Sequence, residues 1–341
     1  MIINTGNRTD IVQYYSKWLL NRFREEYVLV RNPMYPSNVT KYFLKPDLVD
    51  CVVFCSKNYK PLLNNLTEIS DNFNTYFYYT ITAYDKKVEP GVPSIEDSVS
   101  ILNELKEIVG ENRISWRYDP ILLTNEYTIE KHLETFNYLC ENLKKDVSNC
   151  IFSFVDMYKK LDRNMPEIIS LHRRDKEKIA KGIGKIATKN DVSLQTCATI
   201  TDYSKYNIKE SGCITLKRLG DANNINFKLL KHNGIRDNCH CIETRDIGAY
   251  DTCPNLCKYC YANNKKSDVI KNSKNHNPES PLLIGDLKDD DIVKVSKQVS
   301  FLTSQTRLMW YYNNFSGSDG NWTRDNKVKS QALWPDWATD P

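Results

Sequence analysis

The sequence predicts an α/β protein, a partial or complete (β/α) barrel, and three observations carry that expectation. Six short runs rich in β-branched or aromatic residues recur through the first two thirds of the 341 residues. Segments with a helical apolar period fall between them. Cap and stop residues sit where those helices should begin and end. Strands regularly separated by helices pair in parallel through right-handed crossovers. About six such units favour a barrel over a sandwich, with a doubly wound open sheet as the other choice.

In chain order, the strand candidates are Ile2–Thr5, Cys51–Cys55, Tyr76–Thr82, Ile114–Arg117, Cys150–Val155 and Leu194–Ala198. Helix-period segments cover 12–25, 60–69, 95–109, 128–145 and 174–189. Ser94 ahead of Ile95, Glu96 and Asp97 is an N-cap followed by an acidic first turn, and Thr128 caps the next helix. Gly110 stops the helix before it. Residues 27–44 (YVLVRNPMYPSNVTKYFL) interrupt the alternation and predict an inserted hairpin. From about Ser211 turn residues increase and helical periodicity fades. The expected organisation is therefore a barrel-like domain over 1–210 and a cysteine-rich, cluster-binding segment over 211–300. A tail over 301–341 carries Trp310, Trp322, Trp334 and Trp337.

Composition sets outer bounds. Hydrophobic residues at 40% and charged residues at 26% suit a globular chain with a sizeable core. A net charge of +4, from 47 basic and 43 acidic side chains, neither demands nor excludes a nucleic-acid partner. The opening MIINTGNRTD shows no basic-then-apolar leader, and apolar runs such as CVVFC at 51–55 are too short to span a bilayer. The expectation is a cytoplasmic protein without membrane attachment. In a reducing compartment its eleven cysteines need an account other than disulfides. Cys140 and Cys150 are expected to fill space as small hydrophobes.

The central motif is Cys253-Pro-Asn-Leu-Cys257-Lys-Tyr-Cys260, a C-x3-C-x2-C run. A tight loop at this spacing can turn three thiolates toward one cubane cluster, each on a different iron, leaving the fourth iron open for chemistry. Cys239-His240-Cys241, twelve residues upstream, supplies enough further ligands for a zinc knuckle. Spacing alone therefore leaves iron–sulfur and zinc both open. Cys197 and Cys213 join Cys239 and Cys241 in a looser set, open to a second cluster, zinc or plain burial.

With Tyr259 immediately before its last cysteine, the run resembles the signature of radical S-adenosylmethionine (SAM) enzymes. The longer stretch CHCIETRDIGAYDTCPNLCKYCYAN (239–263) resembles an uncharacterised bacterial family, a domain of unknown function. That family's C-terminal cysteine cluster is similar to the one radical SAM enzymes carry near their N-terminus. NRTDI at 7–11, YVLVRNP at 27–33, SKN at 56–58, WRYDP at 116–120, SFVDMY at 153–158 and SPLLIG at 280–285 extend the resemblance over most of residues 1–300. It implies a [4Fe–4S] cluster on Cys253, Cys257 and Cys260 whose open iron binds SAM, with Tyr259 flanking the adenine. One-electron reduction, fed by a donor such as flavodoxin or ferredoxin, would split SAM into methionine and a 5′-deoxyadenosyl radical that attacks an unknown substrate. The cluster loop of most radical SAM barrels follows the first strand, whereas here it follows all the strand candidates. The resemblance is thus to a circularly permuted radical SAM barrel.

Loops after the strands form the active face of a (β/α) barrel. Arg8 and Asp10 follow the first candidate, Lys57 and Asn58 the second, and Thr82 and Tyr84 the third. Arg117, Tyr118 and Asp119 follow the fourth, Asp156 the fifth, and Cys197 lies near the end of the sixth. The functional expectation is a polar bowl in which Arg8, Asp10, Lys57, Arg117, Asp119 and Asp156 contact SAM and substrate. An arginine fork suits a carboxylate or phosphate. Cys197 and Tyr118 are candidate hydrogen donors to a substrate radical. The structural alternative is that Arg8–Asp10 and Arg117–Asp119 are ion pairs tying loops together. Residues 172–178, continuing to Lys181 and Lys185, form a basic helix face, but Asp175 and Glu177 favour a solvated face over nucleic-acid contact. Two other function classes stay open: a zinc-stabilised binding module without catalysis, and an iron–sulfur electron carrier or sensor.

Overall fold

A computed structural model describes residues 1–228 and 239–303. Its strands are β1 (Ile2–Asn4), β2 (Tyr27–Arg31), β3 (Asn38–Phe43), β4 (Cys51–Ser56), β5 (Thr75–Thr80), β6 (Ile114–Ile121), β7 (Asn149–Phe154), β8 (Leu194–Thr196), β9 (Ile208–Glu210), β10 (Arg245–Asp246) and β11 (Ile292–Val295). Eight of them make one parallel sheet in the order β10-β1-β4-β5-β6-β7-β8-β9. The fold is therefore α/β with parallel crossovers. The expected hairpin is present: β2 and β3 pair antiparallel, with Tyr27 opposite Phe43, and β11 adds to β3 in parallel.

Helices α1 (Ile11–Tyr14) and α2 (Ser16–Arg24) follow β1, and α3 (Thr67–Ser70) follows β4. Then α4 (Ile95–Val109) follows β5, α5 (Ile129–Leu143) follows β6, and α6 (Lys159–Asn164) and α7 (Arg173–Lys189) follow β7. The caps act as the sequence implies. Ser94 accepts from the Asp97 N–H at 3.0 Å and Thr128 from that of Lys131 at 3.3 Å. Gly110 ends α4 at φ 78°, a left-handed value that a side chain would strain. The helix expected over 12–25 is broken at Tyr15 (φ −132°), and 60–69 yields a single 3-10 turn plus the short α3.

Beyond Ser211 the chain adds α8 (Leu216–Asn223), α9 (Lys266–Lys274), β10 and β11. β10 pairs with β1, Ile3 opposite Arg245, so the cysteine-rich segment supplies a strand of the main sheet. Of the tail expected over 301–341, residues 304–341, with all four tryptophans, lie outside the described residues.

Alternation along the strands gives the sheet two different faces. Ile3, Phe54, Phe77, Trp116 and Phe152 pack with Trp18, Leu102, Phe136 and Ile183 of the helices, and each fully buried large side chain contributes about 1.5–3 kcal/mol. On the other face Ile2, Val53, Tyr76, Tyr78 and Ile151 pack against Ile214, Leu219 and Ile242. Period two puts Cys55, Arg117, Asp119 and Ser153 on this second face.

Candidate metal centres

The loop after β10 carries Cys253, Cys257 and Cys260 over the C-terminal ends of β1, β4 and β5. Its shape is fixed by its own amides. The Cys253 N–H donates to Asn263 Oδ1 at 3.3 Å, Asn263 Nδ2 donates back to the Cys253 carbonyl at 2.7 Å, and Leu256 takes φ 51°. Neighbouring elements hold it down. Tyr14 OH donates to Asn255 Oδ1 at 3.0 Å, Tyr15 OH to the Thr252 carbonyl at 2.5 Å, and Tyr158 OH to the Tyr259 carbonyl. The Gly91 N–H donates to the Asn255 carbonyl at 3.0 Å. A Cβ on Gly91 would stand 2.7 Å from Asn255 Cα, so glycine is what lets the two backbones touch.

The charge of Cys260 is felt at both Cys253 and Cys257, and that of Cys253 at Cys257. Burial pushes the Cys253 thiol up to about 12 and Cys257 well above its ordinary value, with Glu89 adding to the rise at Cys257. Such thiols are not ready nucleophiles. They become thiolates when a cation takes the place of their protons. Three cysteines on one short loop are the kind of donor set from which iron–sulfur clusters take their ligands.

Around this loop lie groups from three strand ends. Lys57 Nζ reaches Glu89 Oε1 at 2.9 Å, and Glu89, 2% exposed, also accepts from Thr82 Oγ1 at 2.9 Å and from Tyr259 OH. Burial lowers the Lys57 pKa, but the charges of Glu89 and Cys257 outweigh it, so Lys57 is held above its ordinary value. Asp10 takes hydrogen bonds from the Gln13 N–H (3.0 Å), Ser56 Oγ (2.7 Å), the Lys57 N–H (2.9 Å) and Asn255 Nδ2 (3.3 Å). Burial nevertheless raises its pKa, against those donors.

A second set of thiols lies beyond β8. Cys197, Cys213 and Cys241 have their Sγ atoms all within 4.8 Å of one another, and this set could hold a metal ion. Cys241 Sγ accepts from the Ile214 N–H at 3.5 Å, and the Ile242 N–H donates to the Ile214 carbonyl at 3.0 Å, which ties 213–214 to 241–242. Hydrogen bonds from Cys213 and Cys241, helped by Arg117, lower the Cys197 pKa. Cys239 packs against the same apolar cluster but is not in the close set.

The other expected residues fall as follows. Arg8 pairs with Asp246, not Asp10, with Nε 2.7 Å from Oδ1. Arg117 does pair with Asp119, whose other oxygen accepts from Ser153 Oγ, and Arg117 Nη1 lies 3.5 Å from Cys55 Sγ. Tyr118 is buried on the helix-packed face, its OH 2.9 Å from His132 Nδ1, so it is not brought to either set of thiols. Asp156 is exposed beyond β7. Sequence reasoning missed Glu89, Tyr14, Asp246 and Asn263. It missed Asn255 too, although that residue lies inside the cysteine motif and Asp246 and Asn263 lie in the stretch around it.

Fold and site together define an α/β protein with a parallel sheet and cysteines that could hold a metal ion. Residues 2–262 match the family described as a domain of unknown function, DUF1848, and the chain belongs to that family. No curated protein matches the chain, and no solved structure does. Among the described residues no helix is long and apolar enough to cross a membrane.

Proposed function

We propose that the chain is a radical SAM-like iron–sulfur enzyme with its cluster on Cys253, Cys257 and Cys260. The observation that carries this reading is the position of the cysteine loop in the sheet. β10 stands first in the spatial strand order, and the loop leaves its C-terminal end seven residues before Cys253. The cluster loop thus follows the main-sheet strand that is last in the chain but lies at the edge beside β1, ahead of it in the spatial order. That is the arrangement expected of a circularly permuted radical SAM barrel.

A bound cluster with one open iron would supply the binding position for SAM and the electron for its reductive cleavage. The protein's own work is positioning and exclusion of water. Cys253, Cys257 and Cys260 would hold the cluster. Asp10 and Asn255 lock the loop to β1 and β4, while Tyr14, Tyr15 and Tyr158 shield it. Lys57 supports the thiolate charge beside Cys257, and Tyr259, fixed through Glu89, would flank the adenine.

Anaerobic reconstitution should give a brown protein with about four irons in this site. It should release 5′-deoxyadenosine when given SAM and dithionite, and Cys257→Ala should lose both properties. A colourless chain that takes up stoichiometric zinc at these cysteines would overturn the reading. Reversible reduction without 5′-deoxyadenosine would leave an electron carrier in its place.

A further inference from the structure

We infer that Cys197, Cys213 and Cys241 form a separate zinc site that clamps the cysteine-rich segment to the end of the main sheet. It is distinct from the 253–260 loop in position, in spacing and in what surrounds it.

Spacing is the first argument. Zinc–sulfur bonds of 2.3 Å in a tetrahedron put neighbouring sulfurs about 3.8 Å apart. Three Sγ atoms within 4.8 Å of one another need to close by about an ångström or less to bind one ion. Thiolates that each ligate a different iron of a cubane stand farther apart, and among the described residues the 253–260 thiols do not form a close set.

The backbone is the second argument. Cys197 follows β8, where its N–H still donates to the Phe152 carbonyl at 3.4 Å, and Ala198 then turns the chain at φ 51°. Cys213 follows β9, and Cys241 lies four residues before β10. These segments can meet because residue 212 is glycine. A Cβ there would stand 2.4 Å from the His240 carbonyl oxygen and 2.8 Å from the Cys241 nitrogen. The N–H of Ile214 already donates to Cys241 Sγ, an orientation that supports a thiolate.

Charge is the third. A zinc thiolate centre is anionic, and a buried anion needs a nearby cation. Arg117 interacts with both Cys197 and Cys213 and keeps its Nε unpaired among the described residues. Cys239, two residues before Cys241 and packed on the same apolar cluster, is the thiol at hand for the fourth corner.

The function that follows is structural. One ligand comes from the sheet and two from the segment that carries the 253–260 loop, so zinc would fix where that loop begins. The test uses the full chain with Cys253, Cys257 and Cys260 replaced by alanine, which removes the site of the proposed cluster. This protein should retain about one zinc per chain after desalting, and Co2+ in place of zinc should give the intense visible bands of tetrahedral thiolate coordination. Adding Cys213→Ser should cut bound zinc at least about tenfold, whereas Cys140→Ala should leave it unchanged. If Cys213→Ser is insoluble, the cobalt spectrum of the parent decides the matter. Zinc absent from the parent, zinc retained in Cys213→Ser, or iron and sulfide in place of zinc would each overturn the inference. None of these results bears on whether the native 253–260 loop holds a cluster.

Discussion

Lys57→Met deletes the cation beside Glu89 while keeping the aliphatic stem. The Glu89 carboxylate is then left buried with two hydroxyl donors, Thr82 and Tyr259, and no counter-charge. Breaking a buried pair from one side costs about 3–5 kcal/mol, and the two remaining donors put the expectation near the lower end, about 3 kcal/mol. Glu89→Gln leaves Lys57 unpaired at a similar cost. The double variant removes both charges and should cost about 2 kcal/mol less than the sum of the singles, because neither leaves the other stranded. Urea unfolding of the four proteins at equal metal loading, followed by tryptophan emission, closes the cycle. Additivity within about 0.5 kcal/mol would refute the coupling and with it the view of Glu89 as the anchor of Lys57 and Tyr259. If the cluster is present, the same variants should move its potential in opposite directions. Reduction adds negative charge, so losing the Lys57 cation lowers the potential and losing the Glu89 anion raises it.

Two other perturbations give separate readouts. His132 is buried between Tyr118 OH and the Leu122 carbonyl, and burial lowers its pKa to about 4. The unfolded chain takes up a proton near pH 6.5 and the folded one near 4. Stability is therefore full above 6.5 and falls by about 3 kcal/mol between those values, at about 1.4 kcal/mol per pH unit. In His132→Gln the difference between urea midpoints at pH 7 and pH 5 should shrink, and an unchanged pH dependence would show that the loss has another source. Gly91→Ala drives a methyl into Asn255 Cα and Tyr14 OH, an overlap worth about 1–3 kcal/mol. Its expected signature is loss of metal from the 253–260 loop with the far-ultraviolet dichroism of the sheet retained; full metal retention would remove Gly91 from the account.

Much of the fold was legible because its signals are local. α4 runs from Ile95 to Val109 as the apolar period and the Ser94 cap predict, and the six strand candidates each lie in the parallel sheet. β10, two residues long, is too short to carry a period of two, and tertiary pairing alone makes it a strand. The same limit hid the partners of the site. Arg8 lies two residues from Asp10 in sequence, yet its carboxylate is Asp246, 238 residues away and set beside it by the β1–β10 pairing. Tyr118 follows Arg117 on β6, and because side chains alternate it faces the helices while Arg117 faces the thiols. A strand-end list cannot tell the two apart until the faces are assigned. Cys197, Cys213, Cys239 and Cys241 could be grouped only loosely from the sequence, since Gly212 and the β8–β9 pairing bring Cys197, Cys213 and Cys241 together from three segments.

The order of the sheet makes a last prediction about the chain itself. The ammonium of Met1 reaches the Val299 carbonyl at 3.0 Å, so the start of the chain and the end of the described structure are neighbours. A circular permutant that begins at Leu229 and returns to Met1 through a Gly-Ser linker long enough to join its former ends puts the cysteine loop ahead of β1. Its strands would then run in the order of the sheet from β10 onward. Among the described residues the permutation removes the pair between the Met1 ammonium and buried Asp50, which keeps Ser300 Oγ and the Phe301 N–H as donors. Removing that ammonium should cost at most about 3 kcal/mol. The permuted protein should fold and bind metal at both sets of cysteines as the native one does. A permuted chain that is soluble but metal-free would mean that the loop depends on being made after the other strands of the main sheet. The permuted-barrel reading would then lose its basis, because a barrel sharing that core has no reason to care where its chain begins.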